Sequence, residues 1–124
     1  MTTTTKPTAV AVHAVTTRLT IKDIAEILQE VLGQRLTAHL AGLSDAKAIG
    51  AYARGEREPR VEVEARLRLA HQVLQIVVEA DSDHVARAWF IGQNPQLDND
   101  SPAEAIREDR LKDVLSAANA FVRS

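Results

Sequence analysis

Four histidines and the absence of cysteine limit the chemistry open to this chain of 124 residues. His13, His39, His71 and His84 fall at no metal-ligand spacing, and without thiolates a zinc site needs a carboxylate–histidine cluster that the sequence does not offer. Asp98-Asn99-Asp100 is half of a calcium loop, but its glycine and distal glutamate are missing. Neither a P-loop nor GxGxxG occurs. These residues describe a binding protein and not an enzyme, with no metal and no cofactor. What remains is recognition of charge. Net charge is −2, yet bases gather between Arg35 and Arg68, while acids outnumber bases from Glu79 to Asp113. A basic middle and an acidic end imply two surfaces with different partners.

The basic middle has a framework that would aim it. A short helix over Leu36–Ala41 is stopped by Gly42. Ser44 can then cap a second helix from Asp45 to about Arg54, which Gly55 ends. Two short helices joined by a glycine turn form a helix-turn-helix, with Ala38 as the small residue at the crossing and Ile49 and Tyr52 as the buried face of the second helix. Its outward positions are then Asp45, Ala46, Lys47, Gly50, Ala51 and Arg54. Lys47 and Arg54 are suited to phosphates or a guanine edge, and Arg57 and Arg60 to holding the backbone of operator DNA. Gly50 weakens its helix by about 1 kcal/mol relative to alanine, which asks for a close-approach reason.

The remaining elements are helical too, so the fold class is all-α: a helix-turn-helix domain followed by a small helical domain. Residues 1–18, threonine-rich, read as a mobile tail. Residues 19–80 hold a first helix (Ile21–Leu32, capped by Thr20 and ended by Gly33), the helix-turn-helix, and a long helix from Val63 to about Glu79. The stripe Val63, Leu67, Ala70, Leu74, Val77 makes that helix a core strut or a dimer interface, with Glu62–Arg66 and Glu64–Arg68 pairing along it. Residues 81–124 hold a helix over His84–Ile91 that turns Val85, Ala88, Trp89 and Ile91 or Phe90 inward. Asn94-Pro95 breaks it, Ser101-Pro102-Ala103-Glu104 caps a new helix, and a final helix starts near Asp109. The only tryptophan sits at this corner, in a chain nearly free of aromatics. No apolar run approaches the roughly 18 residues of a membrane span. With no secretory signal either, the expected location is the cytoplasm.

An alanine-rich helix ending in Trp89-Phe90, then Asn94-Pro95-x-Leu97, Ser101-Pro102 and a closing helix with Val114-Leu115, resembles the Xre/MbcA/ParS toxin-binding domain. Tyr52, Gly55 and Pro59 after the second short helix resemble Xre-type regulators. The resemblance covers roughly residues 19 to 124. Two departures stand out: a turn between Gly42 and Ile49 one residue longer than in ordinary Xre domains, and Glu108-Asp109 where family members often have a glycine. The resemblance implies a type II antitoxin whose partner is a RES-domain toxin that degrades NAD. It also implies autoregulation through operator DNA, with the antitoxin's C-terminal part obstructing the toxin's active site. It assigns Trp89, Phe90, Asn94, Pro95, Leu97, Ser101 and Pro102 to the fold of the binding unit. Phe121, Val122, Arg123 and Ser124 are then placed to reach the toxin, Arg123 offering a guanidinium to its dinucleotide site or catalytic carboxylate. A homodimer is expected from operator symmetry. The alternative is a stand-alone helix-turn-helix regulator whose C-terminal half mediates dimerisation or another protein contact.

Overall fold

A computed structural model describes residues 19–123. The N-terminal tail expected over 1–18, with His13, and the candidate contact Ser124 lie outside the described residues. Those described are all-helical: α1 (Ile21–Leu32), α2 (Gln34–Ala41), α3 (Lys47–Ala53), α4 (Val61–Ala80), α5 (Asp83–Ile91), a 3-10 turn (Pro95–Leu97), α6 (Pro102–Arg107) and α7 (Leu111–Arg123).

Local chemistry sets most of the boundaries. Thr20 Oγ1 accepts the Asp23 amide at 3.1 Å and donates to the Asp23 carboxylate at 2.8 Å, starting α1. Ser82 and Ser101 accept from the Val85 and Glu104 amides at 3.2 and 3.0 Å, and Pro102 takes the first position of α6, where its missing N–H costs nothing. Gly42 closes α2 at φ 81°, with the Gly42 and Leu43 amides bonded back to His39 and Ala38. One cap differs from expectation. Ser44 does not start α3, which begins at Lys47; Asp45 Oδ1 instead accepts the Lys47 amide at 3.0 Å.

Helix α4 is the strut. α1, α2, α5, α6 and α7 all pack on it, and α3 rests on α1 and α2. Val63, Leu67, Ala70, Val73, Leu74, Ile76 and Val77 are buried, so the heptad-like stripe belongs to the chain's own core. A single cluster runs from Ile24 and Leu28 through Leu67 and Leu74 to Phe90, Leu97, Ile106 and Val114, drawing on both sides of residue 80.

Two sequence expectations need correction here. In α5 the inward line is Ala86 and Phe90, four apart; Ala88 is exposed, Val85 and Trp89 are half-buried, and Ile91 is 58% exposed. The helix meets the core along its 86/90 edge, so Trp89 lies a third of a turn off it. The expected Glu62–Arg66 pairing gives way to a long-range one. Arg66 Nε and Nη2 bind the two Asp109 carboxylate oxygens at 2.9 and 3.0 Å, and Nη1 donates to the Ala41 carbonyl at 3.0 Å. Glu64–Arg68 forms as expected, at 2.8 Å.

Asp109 itself holds a backbone conformation usually left to glycine. It sits at φ 63°, the left-handed conformation glycine tolerates best and aspartate better than most residues. Its carboxylate then tethers the turn before α7 to α4 and, through Arg66, to the end of α2. Arg66→Ala is therefore expected to destabilise by about 1–3 kcal/mol, since it removes charge-assisted hydrogen bonds from a partly buried carbonyl. Asp109→Gly should cost less, because relief of backbone strain offsets the lost pair. Urea unfolding of the two variants checks the order; equal losses would remove the role given to the Ala41 bond.

Candidate functional site

The exposed face of α3 follows from what the helix must bury. Ala48, Ile49, Tyr52 and Ala53 face the core, leaving Lys47 and Arg54 exposed and Ala46 and Ala51 half-exposed. Asp45 is exposed, and one of its carboxylate oxygens is engaged by the Lys47 amide. Arg54 Nε is shared between both oxygens of Glu56, at 2.7 and 2.9 Å. That hydrogen bond raises the guanidinium's pKa and lowers that of Glu56. Arg57 lies 5.7 Å above the Tyr52 ring centroid, a cation–π contact that holds it beside α3. Arg60 precedes α4 and, with Arg57, Ser44 and Tyr52, lines a cleft of about 400 Å³. Lys47, Arg54, Arg57 and Arg60 thus share one region of the surface, with Asp45, Glu56 and Glu58 among them. Four bases against three acids leave only a small positive excess among these exposed side chains, which limits sequence-independent attraction to phosphates.

Gly50 corrects the sequence reading. It is buried and not an open outward position, because the side chains of Gln34 and Arg54 lie across it.

In the C-terminal half, Trp89, Phe90, Asn94, Pro95, Leu97, Ser101 and Pro102 lie in the core or in the turns and caps that join its helices. Phe90 is fully buried, and Trp89 meets it edge to face at 5.3 Å and 88°. Trp89 also contacts Phe121 at 6.4 Å, joining α5 to the last turn of α7. Asn94 Oδ1 accepts the Gln96 amide at 2.9 Å, and the Asn94 carbonyl accepts from Leu97 and Asn99, so this side chain and Pro95 together form the 3-10 turn. Leu97 and Pro102 are buried, and Ser101 caps α6. Beyond this corner, Phe121 is half-buried, Val122 is 47% exposed and Arg123 is exposed.

Charge pairing not read from the sequence organises the space between these regions. His39 Nε2 meets Glu104 at 2.7 Å, and Arg107 Nη1 donates to the His39 carbonyl at 2.8 Å, fastening α2 to α6. Arg110 stands among Asp98, Asp100, Glu108 and Asp113 at 2.9–4.0 Å. One guanidinium so placed organises much of the acidic end; the sequence signal was an arginine flanked closely by carboxylates. Among the described residues, no group of three or more histidine, aspartate or glutamate side chains is arranged to hold a metal, and no helix is long and apolar enough to cross a membrane.

Comparison with known proteins leaves the surface to speak for itself: no family model, no curated protein and no solved structure matches the chain.

Proposed function

We propose that this chain is a type II antitoxin that neutralises a RES-domain NAD-degrading toxin and represses its own operon through the helix-turn-helix. The observation that carries the reading is the division of its surface. Lys47, Arg54, Arg57 and Arg60 collect around α3, while the last turn of α7, propped by Trp89, carries Val122 and Arg123 into solvent. The first surface suits a nucleic-acid backbone. The second has the shape of an anchor: an apolar side chain beside a guanidinium at the end of a rigid helix. Two copies would meet a two-fold operator, as helix-turn-helix proteins do.

Co-expression with the protein encoded by the adjacent reading frame, which this reading expects to be a RES-domain toxin, tests the antitoxin role, with cellular NAD as the readout. The wild-type chain should preserve NAD and growth. Val122→Asp, an exposed change that leaves the core intact, should weaken the complex about tenfold or more and lose protection. NAD depletion in the presence of the wild-type chain would eliminate the antitoxin reading and leave the stand-alone regulator. For DNA, Lys47→Ala with Arg54→Ala should reduce affinity about tenfold or more in a promoter shift assay and lower the salt slope by about one per lost phosphate contact. Unchanged affinity and slope would remove α3 from the interface.

A further inference from the structure

Gly50 lies between Lys47 and Arg54 in sequence, buried beneath two side chains and with none of its own to read DNA with. Lys47 and Gly50 lie three residues apart on α3, and Arg54, the C-cap of that helix, continues the stripe four residues on. The stripe is about 10 Å long at the rise of an α-helix, close to three base-pair steps of about 3.4 Å each. Its ends carry an ammonium and a guanidinium.

The middle is filled by two side chains, the guanidinium of Arg54 and an amide from another helix. Gln34, the first residue of α2, lays its amide over Gly50: a Cβ at position 50 would stand 2.8 Å from Gln34 Nε2 and 3.1 Å from Arg54 Nη1. The amide is held in place because Nε2 donates to Gln29 Oε1 at 2.9 Å. Its second N–H and its own Oε1 make no other hydrogen bond among the described residues, and Gln34 is exposed. A residue larger than glycine at position 50 would push the amide away. This is the close-approach reason that a glycine inside a short helix requires.

We infer that Gln34 supplies the central base-reading group of this helix-turn-helix, recognising an adenine across the gap that Gly50 leaves. The inference rests on the DNA-binding reading above. A carboxamide presents a donor and an acceptor side by side, the complement of adenine N7 and N6–H in the major groove, whereas the ammonium and guanidinium on either side can only donate. Of the three groups in the row, Gln34 alone has the chemistry to select adenine. Gln29 fixes its rotamer and thereby reduces the entropy lost on binding.

The test uses the full chain and a pool of duplexes with a randomised core, carried through rounds of binding and sequencing. The wild-type chain should select half-sites with an adenine at the middle position. Gln34→Ala should lose about tenfold or more of that preference at the middle position alone and keep the flanking ones. Its circular dichroism and unfolding midpoint should stay unchanged, because the side chain is exposed. Gly50→Ala, which crowds the Gln34 amide at 2.8 Å and the Arg54 guanidinium at 3.1 Å and leaves both in the sequence, should lose preference at the middle position and weaken it at the Arg54 end. Uniform weakening by Gln34→Ala, with base preferences intact, would make Gln34 a phosphate contact and overturn the proposal. So would an unchanged selected motif. A wild-type chain that selects nothing would overturn the DNA-binding reading itself, and this proposal with it. Lys47→Ala separates the two failures, since it should lower affinity whichever residue reads the middle base.

Discussion

Phe90→Ala is expected to destabilise the chain by about 3–5 kcal/mol, the range for deleting a buried aromatic ring. Against the roughly 5–15 kcal/mol of a typical domain, that loss would leave a substantial fraction unfolded at physiological temperature. Phe90 has no exposed surface and lies in the cluster that links α4, α5 and α7. In a core made mostly of alanine, valine and leucine, small side chains have short reach and close poorly around a missing ring, so the cavity term should be near its upper range. Trp89→Ala should cost less despite removing the larger ring, because Trp89 is half-buried and its contacts with Phe90 and Phe121 are edge contacts. Denaturant unfolding followed by circular dichroism gives the order. A larger loss for Trp89→Ala would return the anchor to tryptophan.

That ordering shows where the sequence was legible. Caps and glycines are local signals, so α1 was placed to the residue and the Gly42 turn by its glycine. The register of α5 was not, because Trp89, Phe90 and Ile91 are consecutive and apolar. Three neighbours on a helix cover most of its circumference, and hydrophobic periodicity then has no preferred phase. Only the helix's contact with the rest of the core selects Phe90. Pairings across the chain were equally hidden. Arg66 had a suitable partner four residues back in Glu62, and the choice of Asp109 depends on a turn 43 residues away in left-handed backbone. The candidate DNA face was half legible for a related reason. Helical spacing found Lys47 and Arg54, but that a side chain from α2 covers Gly50 is a fact about how two helices cross. The glycine was the clue, and its meaning needed the neighbour.

The second large effect is on acid stability and comes from His71. The ring is 1% exposed, in the middle of α4, and burial pushes its pKa down from the usual 6.5 to about 4, with Arg68 adding repulsion. Arg68 and Gln75 stand beside it, the Gln75 amide nitrogen 3.4 Å from Nε2. In the folded chain His71 is therefore neutral throughout the mildly acidic range, while in the unfolded chain it takes up a proton near pH 6.5. The unfolded state then binds more protons between those two values, so stability rises with pH across that window. Above about pH 6.5 the group has no effect. As pH falls towards 4, the protein should lose stability on the order of 2–3 kcal/mol, and below that the loss from this group stops growing. Glu56 and Asp109, held below the ordinary carboxylate range by their arginines, begin to lose their contribution only as pH falls through the ordinary values of 4.5 and 3.8, at the acid end of the His71 window and below it. Above pH 4.5 the windows are separable. Urea unfolding between pH 7.5 and 4.5 should show the decline in the wild-type chain, and His71→Leu, which cannot take up a proton in either state, should flatten it. Absolute stability of that variant also reflects the lost Gln75 contact, so the slope is the quantity to compare. A slope as steep in His71→Leu as in the wild type would place the acid sensitivity in another group.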